Sequence, residues 1–452
     1  MTKVAFLLNG TPICIEGQPP TRTLLDYLRE TVNSISRLVK PVFTYIDNNH
    51  KPLLPDQKTE LTELKNNIDS FFKTTIKILE EDGFKTVAII DPGIKIDKEY
   101  SVFNEALEKD YFCKRADGPY MKGKVWPGEC YFPDFTSPEV REWWSELFKE
   151  LIEDIGVAGV WNDMNEPAVM DVPGKSFPDD VRHDYDGNPC SHRKAHNIYG
   201  MQMARATYHG LKKFSYPKRP FVITRAAYSG TQRYTSTWTG DNVATWDHLS
   251  IANQQAQRMC MSGFSFAGSD IGGFAEQPSG ELFARWIQLG VFHPFCRVHS
   301  SGDHGDQEPW VFGKTVTDIV RKFIEIRYQL LPYLYTTFWR YADEGIPILK
   351  SLVLFDQEDP NTHFRNDEFI FGEKILVCPI IEANSKGRRM YIPRGKWYNF
   401  WDNSIVEGGE EVWVDADIDS LPIFVKEGAI IPKYPIQQYV GEKVIEQLEL
   451  DV

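Results

Sequence analysis

The segment Gly159-Val160-Trp161-Asn162-Asp163-Met164-Asn165-Glu166-Pro167 runs an apolar stretch directly into two acids and two amides. Burying such groups is expensive unless they are paired or do chemistry. Taken alone, the cluster also fits a structural hydrogen-bond group. A second segment, Thr237-Trp238-Thr239-Gly240-Asp241-Asn242, sets another carboxylate beside Trp and Gly. Cleaving a glycosidic bond with retention needs two carboxyl groups roughly 5–5.5 Å apart, one attacking and one donating a proton. Asp163 and Asp241, each at the end of an expected strand, are the residue types for that task. Asp91, Arg225, Asp270 and His299 likewise stand just after expected strands.

The elements that must position these residues alternate between helical and extended patterns. Helical spacing over about 61–81 stops at Asp82-Gly83. The run Lys85-Thr86-Val87-Ala88-Ile89-Ile90 then reads as a strand apolar on both faces, closed by Asp91-Pro92-Gly93. Ser137-Pro138-Glu139 has the residues of a helix start, with Ser137 as N-cap, ahead of Val140, Trp143, Trp144, Leu147, Phe148, Leu151 and Ile152. Further strands are expected at 156–161, 219–224, 263–267 and 348–355, with a helix over 319–338. This βα rhythm favours an α/β fold, either a (β/α)8 TIM barrel or a doubly wound sheet. Either one carries its function beyond the carboxyl ends of the strands. After about residue 365, short strands separated by Gly, Pro and Asn predict a C-terminal antiparallel β-sandwich.

With 452 residues and a net charge of −14, the chain lacks the basic surface that nucleic acid or an anionic membrane requires. Its 7 cysteines are scattered singly, so neither a disulfide scaffold nor a zinc site is expected, and no metal or cofactor is called for. No apolar run reaches the 18 residues of a membrane span, and Val4–Leu8 is too short for a signal-peptide core. A cytoplasmic location is expected unless a leader was removed. Aromatics make up 13%, including 12 Trp, whose flat faces suit both cores and sugar rings.

Together these motifs resemble glycoside hydrolase family 31. Trp161-Asn162-Asp163-Met164-Asn165-Glu166 resembles its nucleophile signature, and Trp238-Thr239-Gly240-Asp241-Asn242 its acid/base motif. The likeness extends through Val125-Trp126-Pro127-Gly128, Thr224-Arg225-Ala226, Gly268-Ser269-Asp270-Ile271-Gly272-Gly273-Phe274, Arg297-Val298-His299 and Arg394-Gly395-Lys396-Trp397-Tyr398-Asn399-Phe400-Trp401, about residues 62–440 in all. The resemblance implies a catalytic barrel over 62–365 and a sandwich over 366–452. It implies Asp163 as nucleophile and Asp241 as general acid/base, with Arg225 and His299 binding sugar hydroxyls and Asp270 as a further pocket acid. Trp126, Trp161, Trp238, Phe274, Ile94 and Met164 would line the sugar. The implied partner is an α-glucoside or oligosaccharide, hydrolysed by a retaining exo-acting α-glucosidase. α-Xylosidase or α-glucan lyase chemistry on the same fold stays open, as does an inactive sugar-binding remnant. For such chemistry Asp241 should start protonated while Asp163 stays ionised. Oligomeric state is not legible.

The first 30 residues depart from that pattern. Phe6-Leu7-Leu8-Asn9-Gly10 through Thr23-Leu24-Leu25-Asp26-Tyr27-Leu28-Arg29-Glu30 resembles the start of the iron–sulfur subunit of xanthine dehydrogenase-like enzymes. After Cys14 the next cysteine is Cys113, so the four thiolates of a two-iron cluster are missing and no cluster is expected. Residues 31–61 read as a linker or replacement segment, in which Val42–Asp47 is a weak strand candidate. The barrel is therefore expected with its first strand missing or replaced.

Overall fold

The structure, a computed structural model, describes residues 73–451 and the backbone of one strand at 3–7. The expectations placed on the rest of the first 72 residues lie outside the described residues: the iron–sulfur likeness beyond that strand, the linker, Asp47 and the helix start near 61.

A parallel sheet forms the centre. Its strands are β1 (Lys3–Leu7), β2 (Lys85–Ile90), β3 (Gly159–Asn162), β4 (Val222–Thr224), β5 (Ser236–Trp238) and β6 (Ala267–Gly268), hydrogen-bonded in that order. From β2 to β6 every pairing is parallel. β1 is antiparallel to β2, with Lys3 opposite Ile89. It thus occupies the edge of the sheet beside β2, whereas the replacement strand was expected within 31–61, outside the described residues. The next strand is split at Ser269: β6 pairs with β5, and its continuation β7 (Asp270–Ile271) pairs with β8 (Arg297–Val298). Only glycine fits at 268, because a Cβ there would lie 1.8 Å from the Phe295 carbonyl oxygen.

Strand alternation separates two apolar layers. Val87, Trp161, Ile223, Trp238 and Phe295 pack together inside the barrel. Val160 and Val222, pointing the other way, join Val140, Trp144, Phe148, Tyr199 and Met203 of the surrounding helices. Strands buried on both faces read as unbroken apolar runs, which is why Lys85–Ile90 was visible in the sequence.

Several boundaries move for physical reasons. Residues 73–81 are helical and stop at Gly83, which takes φ of +90°, as expected. The helix at Pro138–Glu146 starts where expected, but Ser137 makes no side-chain cap. Arg141 instead ties the helix to the chain before it, donating to the carbonyls of Phe135 and Thr136 at 3.0 and 2.8 Å. The helix expected over 319–338 is two helices, Lys314–Gln329 and Leu331–Glu344, because Pro332 in the first turn of the second has no N–H to continue the first. The run 263–267 becomes strand only at Ala267. Of 348–355, only Leu349–Ser351 is extended, followed by a helical turn.

That short strand joins the C-terminal sheet rather than the barrel, pairing with Phe369–Phe371. The sheet continues antiparallel through Ile375–Val377, Ile423–Lys426, Lys396–Asn399 and Ile405–Glu407. One face, with Phe369, Phe371, Ile375 and Val377, packs on Phe283, Trp286 and Phe323 of the barrel helices. The other face, with Ile370, Leu376 and Trp397, packs on Met390 and Ile392 of the two-stranded antiparallel sheet Gly387–Ile392 and Glu410–Asp415. Arg285 and Gln288 tie the two units by bonding the carbonyls of Ser420, Ala416 and Ile418. Among the described residues, no helix is long and apolar enough to cross a membrane.

Candidate active site

The turn after β3 carries Asp163, Met164, Asn165 and Glu166. Met164 adopts φ of +56°, a left-handed conformation unusual for a side chain of its size. Its backbone N–H favours the ionised form of the Asp163 carboxylate. Asn165 locks this turn to the next strand end: its Nδ2 donates to Thr224 Oγ1 at 2.9 Å, and its Oδ1 accepts from the Ala226 N–H at 3.2 Å.

Arg225, directly after β4, is the electrostatic hub. Its guanidinium donates to both Glu166 oxygens, at 2.6 and 2.8 Å, in the two-pronged geometry that fixes an arginine most firmly. That clamp leaves Arg225 Nε 3.5 Å from Asp163 Oδ1. Burial pushes the Asp163 carboxyl above its ordinary value and Arg225 opposes the rise, while the charges of Glu166 and Asp241 add to it. Arg225 is thus the charged group that favours the ionised form of Asp163 against its burial.

A second layer lies beneath. Asp270 on β7 is fully buried and pairs with Arg297 Nη2 at 2.5 Å. Burial carries Asp270 up to about 7, opposed by Arg297 and reinforced by the charges of Asp241 and Asp163. Arg297 also lies over the rings of Trp161 and Trp238, at 4.6 and 4.8 Å from their centroids. Those rings meet edge-on at 5.1 Å, and Trp161 is edge-on to His299 at 5.2 Å. Phe274 packs on the other side of His299 at 5.3 Å. Burial, with Arg297 nearby, drives His299 down to about 3, so its imidazole is neutral. Among the described residues, Trp161 Nε1, Trp238 Nε1, Asp163 Oδ1, Asp270 Oδ2 and Arg297 Nε and Nη1 are buried without hydrogen-bond partners. Native interiors rarely leave such atoms unmatched, and a concentration of them marks a place built to receive a polar ligand.

Asp241 sits in the exposed loop after β5, beyond Gly240 at φ of +90°. Asn242 anchors the loop, donating from Nδ2 to the Asp270 carbonyl at 2.9 Å and accepting the Phe274 N–H at 2.9 Å. A cavity of about 610 Å³ opens here, lined by Glu166, Arg225, Trp238, Thr239, Gly240 and Asp241, and on its far side by Gln255, Arg258, Met259 and Ser262.

The structure thus gathers Asp163, Asp241, Arg225, Asp270, His299, Trp161, Trp238 and Phe274 at one end of the barrel, with Met164 contributing a backbone N–H. Two expected residues are placed otherwise. Ile94 is buried in the outer apolar cluster with Phe103 and Phe112, since its two-residue strand pairs with Tyr131. Trp126 stands at the turn of the hairpin Lys122–Val125 and Gly128–Tyr131, 62% exposed. Glu166, Asn165, Asn242 and Arg297 were quoted in motifs without a role. Their partners are remote in the chain, so only the fold assigns them.

Among the described residues one group brings possible metal-ligating atoms within 4.8 Å: Cys113, Asp134 and His183. Its polar atoms are already matched. Asp134 accepts from Thr136 Oγ1 at 2.7 Å, from the Asp184 N–H at 2.6 Å and from His183 Nδ1 at 2.9 Å. The line continues from His183 Nε2 to His192 Nδ1 at 2.9 Å, and from His192 Nε2 to His196 Nδ1 at 2.8 Å. One consistent proton arrangement satisfies the line, with each imidazole donating from Nδ1 towards Asp134. It pins the excursion between β3 and the helix His192–Phe214.

Comparison with known proteins places this geometry. The glycosyl hydrolases family 31 TIM-barrel domain matches residues 44–337, and that family's C-terminal domain matches 345–431. Alpha-glucosidase 2 of Bacillus thermoamyloliquefaciens is 43% identical over 359 residues, which are 79% of this chain and 45% of that protein. Neutral alpha-glucosidase AB of Sus scrofa is 37% identical over 367 residues, 80% of this chain and 39% of that protein. Among solved structures, the ER glucosidase II heterodimeric complex of catalytic subunit and regulatory-subunit binding domain superposes with a TM-score of 0.77 at 34% identity. That match covers 81% of this chain and 40% of the other. A Flavobacterium johnsoniae GH31 dextranase complexed with glucose gives 0.78 at 32% identity, covering 84% and 48%. The chain spans less than half the length of these relatives.

Proposed function

The chain belongs to glycosyl hydrolase family 31, and from that premise we propose that it is a retaining, exo-acting α-glucosidase releasing terminal α-linked glucose by double displacement. Asp163 attacks the anomeric carbon while Asp241 passes its proton to the glycosidic oxygen, and the leaving sugar departs as an alcohol. Asp241, now a carboxylate, takes a proton from water. The oxygen of that water attacks the anomeric carbon and expels Asp163, so glucose leaves in the α configuration.

The observation that carries this reading is the Glu166–Arg225 clamp, which sets a fixed guanidinium 3.5 Å from Asp163 at the edge of the cavity that Asp241 lines. Arg225 counters the burial of Asp163 and keeps its attacking oxygens ionised, and Trp161 and Trp238 supply an apolar floor for the sugar ring. The likeness of residues 1–30 to an iron–sulfur subunit adds no function to this proposal, since its cluster cysteines are absent.

The test follows the configuration of trapped products. The Asp241→Ala protein supplied with azide should form α-glucosyl azide, because azide then opens a β-linked glycosyl–enzyme. The Asp163→Ala protein should form the β-azide by direct displacement. Failure of the unmodified protein to release glucose from nitrophenyl α-glucoside, or first-formed β-glucose, would overturn the reading.

A further inference from the structure

Two sulfur atoms lie against the hydrogen-bonded line that starts at Asp134, and the line does not use them. Cys113 Sγ is 3.7 Å from the Pro133 carbonyl oxygen and 3.9 Å from His183 Nδ1, the loose contacts of a weak donor. Cys190 is paired with His183 across the two-stranded ribbon Arg182–His183 and Cys190–Ser191. Residues so opposed carry their Cβ atoms about 4.5–5.5 Å apart on one face. Burial raises both thiols, and the Asp134 charge raises both further, against Lys194 at Cys190. The four residues come from three separate stretches of chain, so no cysteine spacing announces them. Cys113 follows the helix Ser101–Glu108, Asp134 precedes the helix Pro138–Glu146, and the ribbon comes after both.

A buried carboxylate bonded to a histidine needs no metal, and Asp134 with His183 alone would be a structural pair. Two thiols at the same point make a different donor set, because mixed sulfur and nitrogen ligands in a tetrahedron suit zinc. We propose that Cys113, Asp134, His183 and Cys190 bind one zinc ion. The ion would staple the excursion between β3 and the helix His192–Phe214 to the two segments before it. Zinc holds sulfur at about 2.3 Å and nitrogen or carboxylate oxygen at about 2.0–2.2 Å, so its ligands stand roughly 3.3–3.7 Å apart. Cys113 Sγ, His183 Nδ1 and an Asp134 oxygen already lie within 4.8 Å of one another. Their separations of 3.9 Å, sulfur to nitrogen, and 2.9 Å, nitrogen to oxygen, bracket that spacing. Cys190, half-buried, completes the set by rotation about its Cα–Cβ bond.

The exchange balances in charge. Zinc enters as a dication and each thiol gives up one proton to solvent, so the buried set keeps the single negative charge of Asp134. High thiol values are no obstacle, since a coordinating thiol is deprotonated outright. The histidines lose no proton between them; the line reverses direction. His183 then binds through Nδ1 and donates from Nε2 to His192, which donates from Nε2 to His196. A partner on the far nitrogen is what fixes a zinc-bound imidazole.

Zinc binding here is independent of the α-glucosidase reading and is tested without a turnover assay. Untagged, reduced protein stripped with a chelator is titrated with zinc and, separately, with cobalt(II). One zinc should bind per chain, its uptake should release two protons, and the melting temperature should rise with zinc concentration. Cobalt should give a thiolate charge-transfer absorption together with the strong visible bands of a tetrahedral site. Cys113→Ser and Cys190→Ser should each weaken zinc binding about tenfold or more. Cys260→Ser, in a different apolar cluster, should bind zinc as the unmodified chain does. Should a serine variant fail to fold without zinc, the proton count and the cobalt spectrum of the unmodified chain decide. Uptake without the thiolate band, uptake that survives both serine substitutions, equal weakening by Cys260→Ser, or no stoichiometric uptake would overturn the site.

Discussion

Two buried carboxylates in this molecule titrate alike and differ in every other respect. Asp270, at the barrel mouth, and Glu368, between the sheets of the C-terminal unit, are both carried up to about 7, first of all by burial, and both have arginine partners. Glu368 accepts from the Tyr391 N–H at 2.9 Å and from Arg388 at 3.3 Å, and Arg388 is held further by Asp367 and the Pro379 carbonyl. Neither of its oxygens is without a partner. Asp270 has one oxygen on Arg297, while its other oxygen and two nitrogens of Arg297 are unmatched. A perturbed titration therefore does not by itself identify a functional acid. What separates the two is the company of unmatched polar atoms, which the sandwich has satisfied and the barrel mouth has left for a ligand.

That contrast predicts that substitutions at the mouth act on turnover and those in the sandwich act on stability. The largest effect belongs to Asp163→Asn. Removing a covalent nucleophile should lower kcat by roughly 10⁴-fold or more, with the melting temperature nearly unchanged. Glucose release in single-turnover assays checks the first part, and a thermal melt the second. Near-normal turnover would end the assignment of Asp163 and with it the distinction between the two regions.

Next in size is Glu368→Ala, which leaves the buried Tyr391 N–H without its acceptor while Asp367 and the Pro379 carbonyl still hold Arg388. Leaving a buried donor unmatched costs about 1–3 kcal/mol, and urea unfolding should report a loss of that order. Turnover per folded molecule should stay where it was. If activity fell while stability held, Glu368 would have to be moved into the class of Asp270.

Smaller again is Glu166→Gln. The amide keeps the volume but cannot hold Arg225 with two charged acceptors, so the guanidinium is freed to drift from Asp163. A fall in kcat of about 10- to 100-fold is expected. Removing the Glu166 charge by itself lowers the Asp163 carboxyl, so an acidic limb of the kcat/KM profile that moves to higher pH shows that Arg225 has drifted away. A limb that moves down or stays in place shows that Arg225 kept its position without the clamp.

How much of this was written in the chain follows from distance along it. Asp163 announces itself because it ends an apolar run, Asp241 because it is a carboxylate set beside Trp238 and Gly240, and strand β2 because both its faces are buried. The clamp on Arg225 joins residues 59 apart, and the tie from Asn242 to the Phe274 loop spans 32, so no local pattern contains them. Ile94 is a sugar-lining residue only by the family resemblance, whereas the next hairpin claims its side chain for the outer core. The antiparallel setting of β1 has no local signature either, because a strand's sequence does not encode its direction. The split of the 319–338 helix, in contrast, was legible in Pro332 and was passed over.

The finest test of the comparison is the sign of stability against pH. His192 and His293 are pushed down to about 3, in both cases first by burial. In the unfolded chain they take up protons near their ordinary value of about 6.5. The folded form therefore binds fewer protons between about 3 and 6.5, and stability falls as pH is lowered through that window. Glu368 works the other way. Its folded value, about 7, lies above the ordinary 4.5, so the folded form holds more protons and stability is lost as pH rises through that range. The two slopes oppose each other between about pH 5 and 6.5. Replacing Glu368 by Gln removes the descending one, so unfolding free energy should climb with pH more steeply than in the unmodified chain. The added slope is at most one proton's worth, about 1.4 kcal/mol per pH unit. Urea titrations at three pH values across the window measure it. An unaltered slope would mean that the Glu368 pocket does not hold a proton at neutrality, and that the likeness between the two acids, on which the contrast of their surroundings was drawn, is absent.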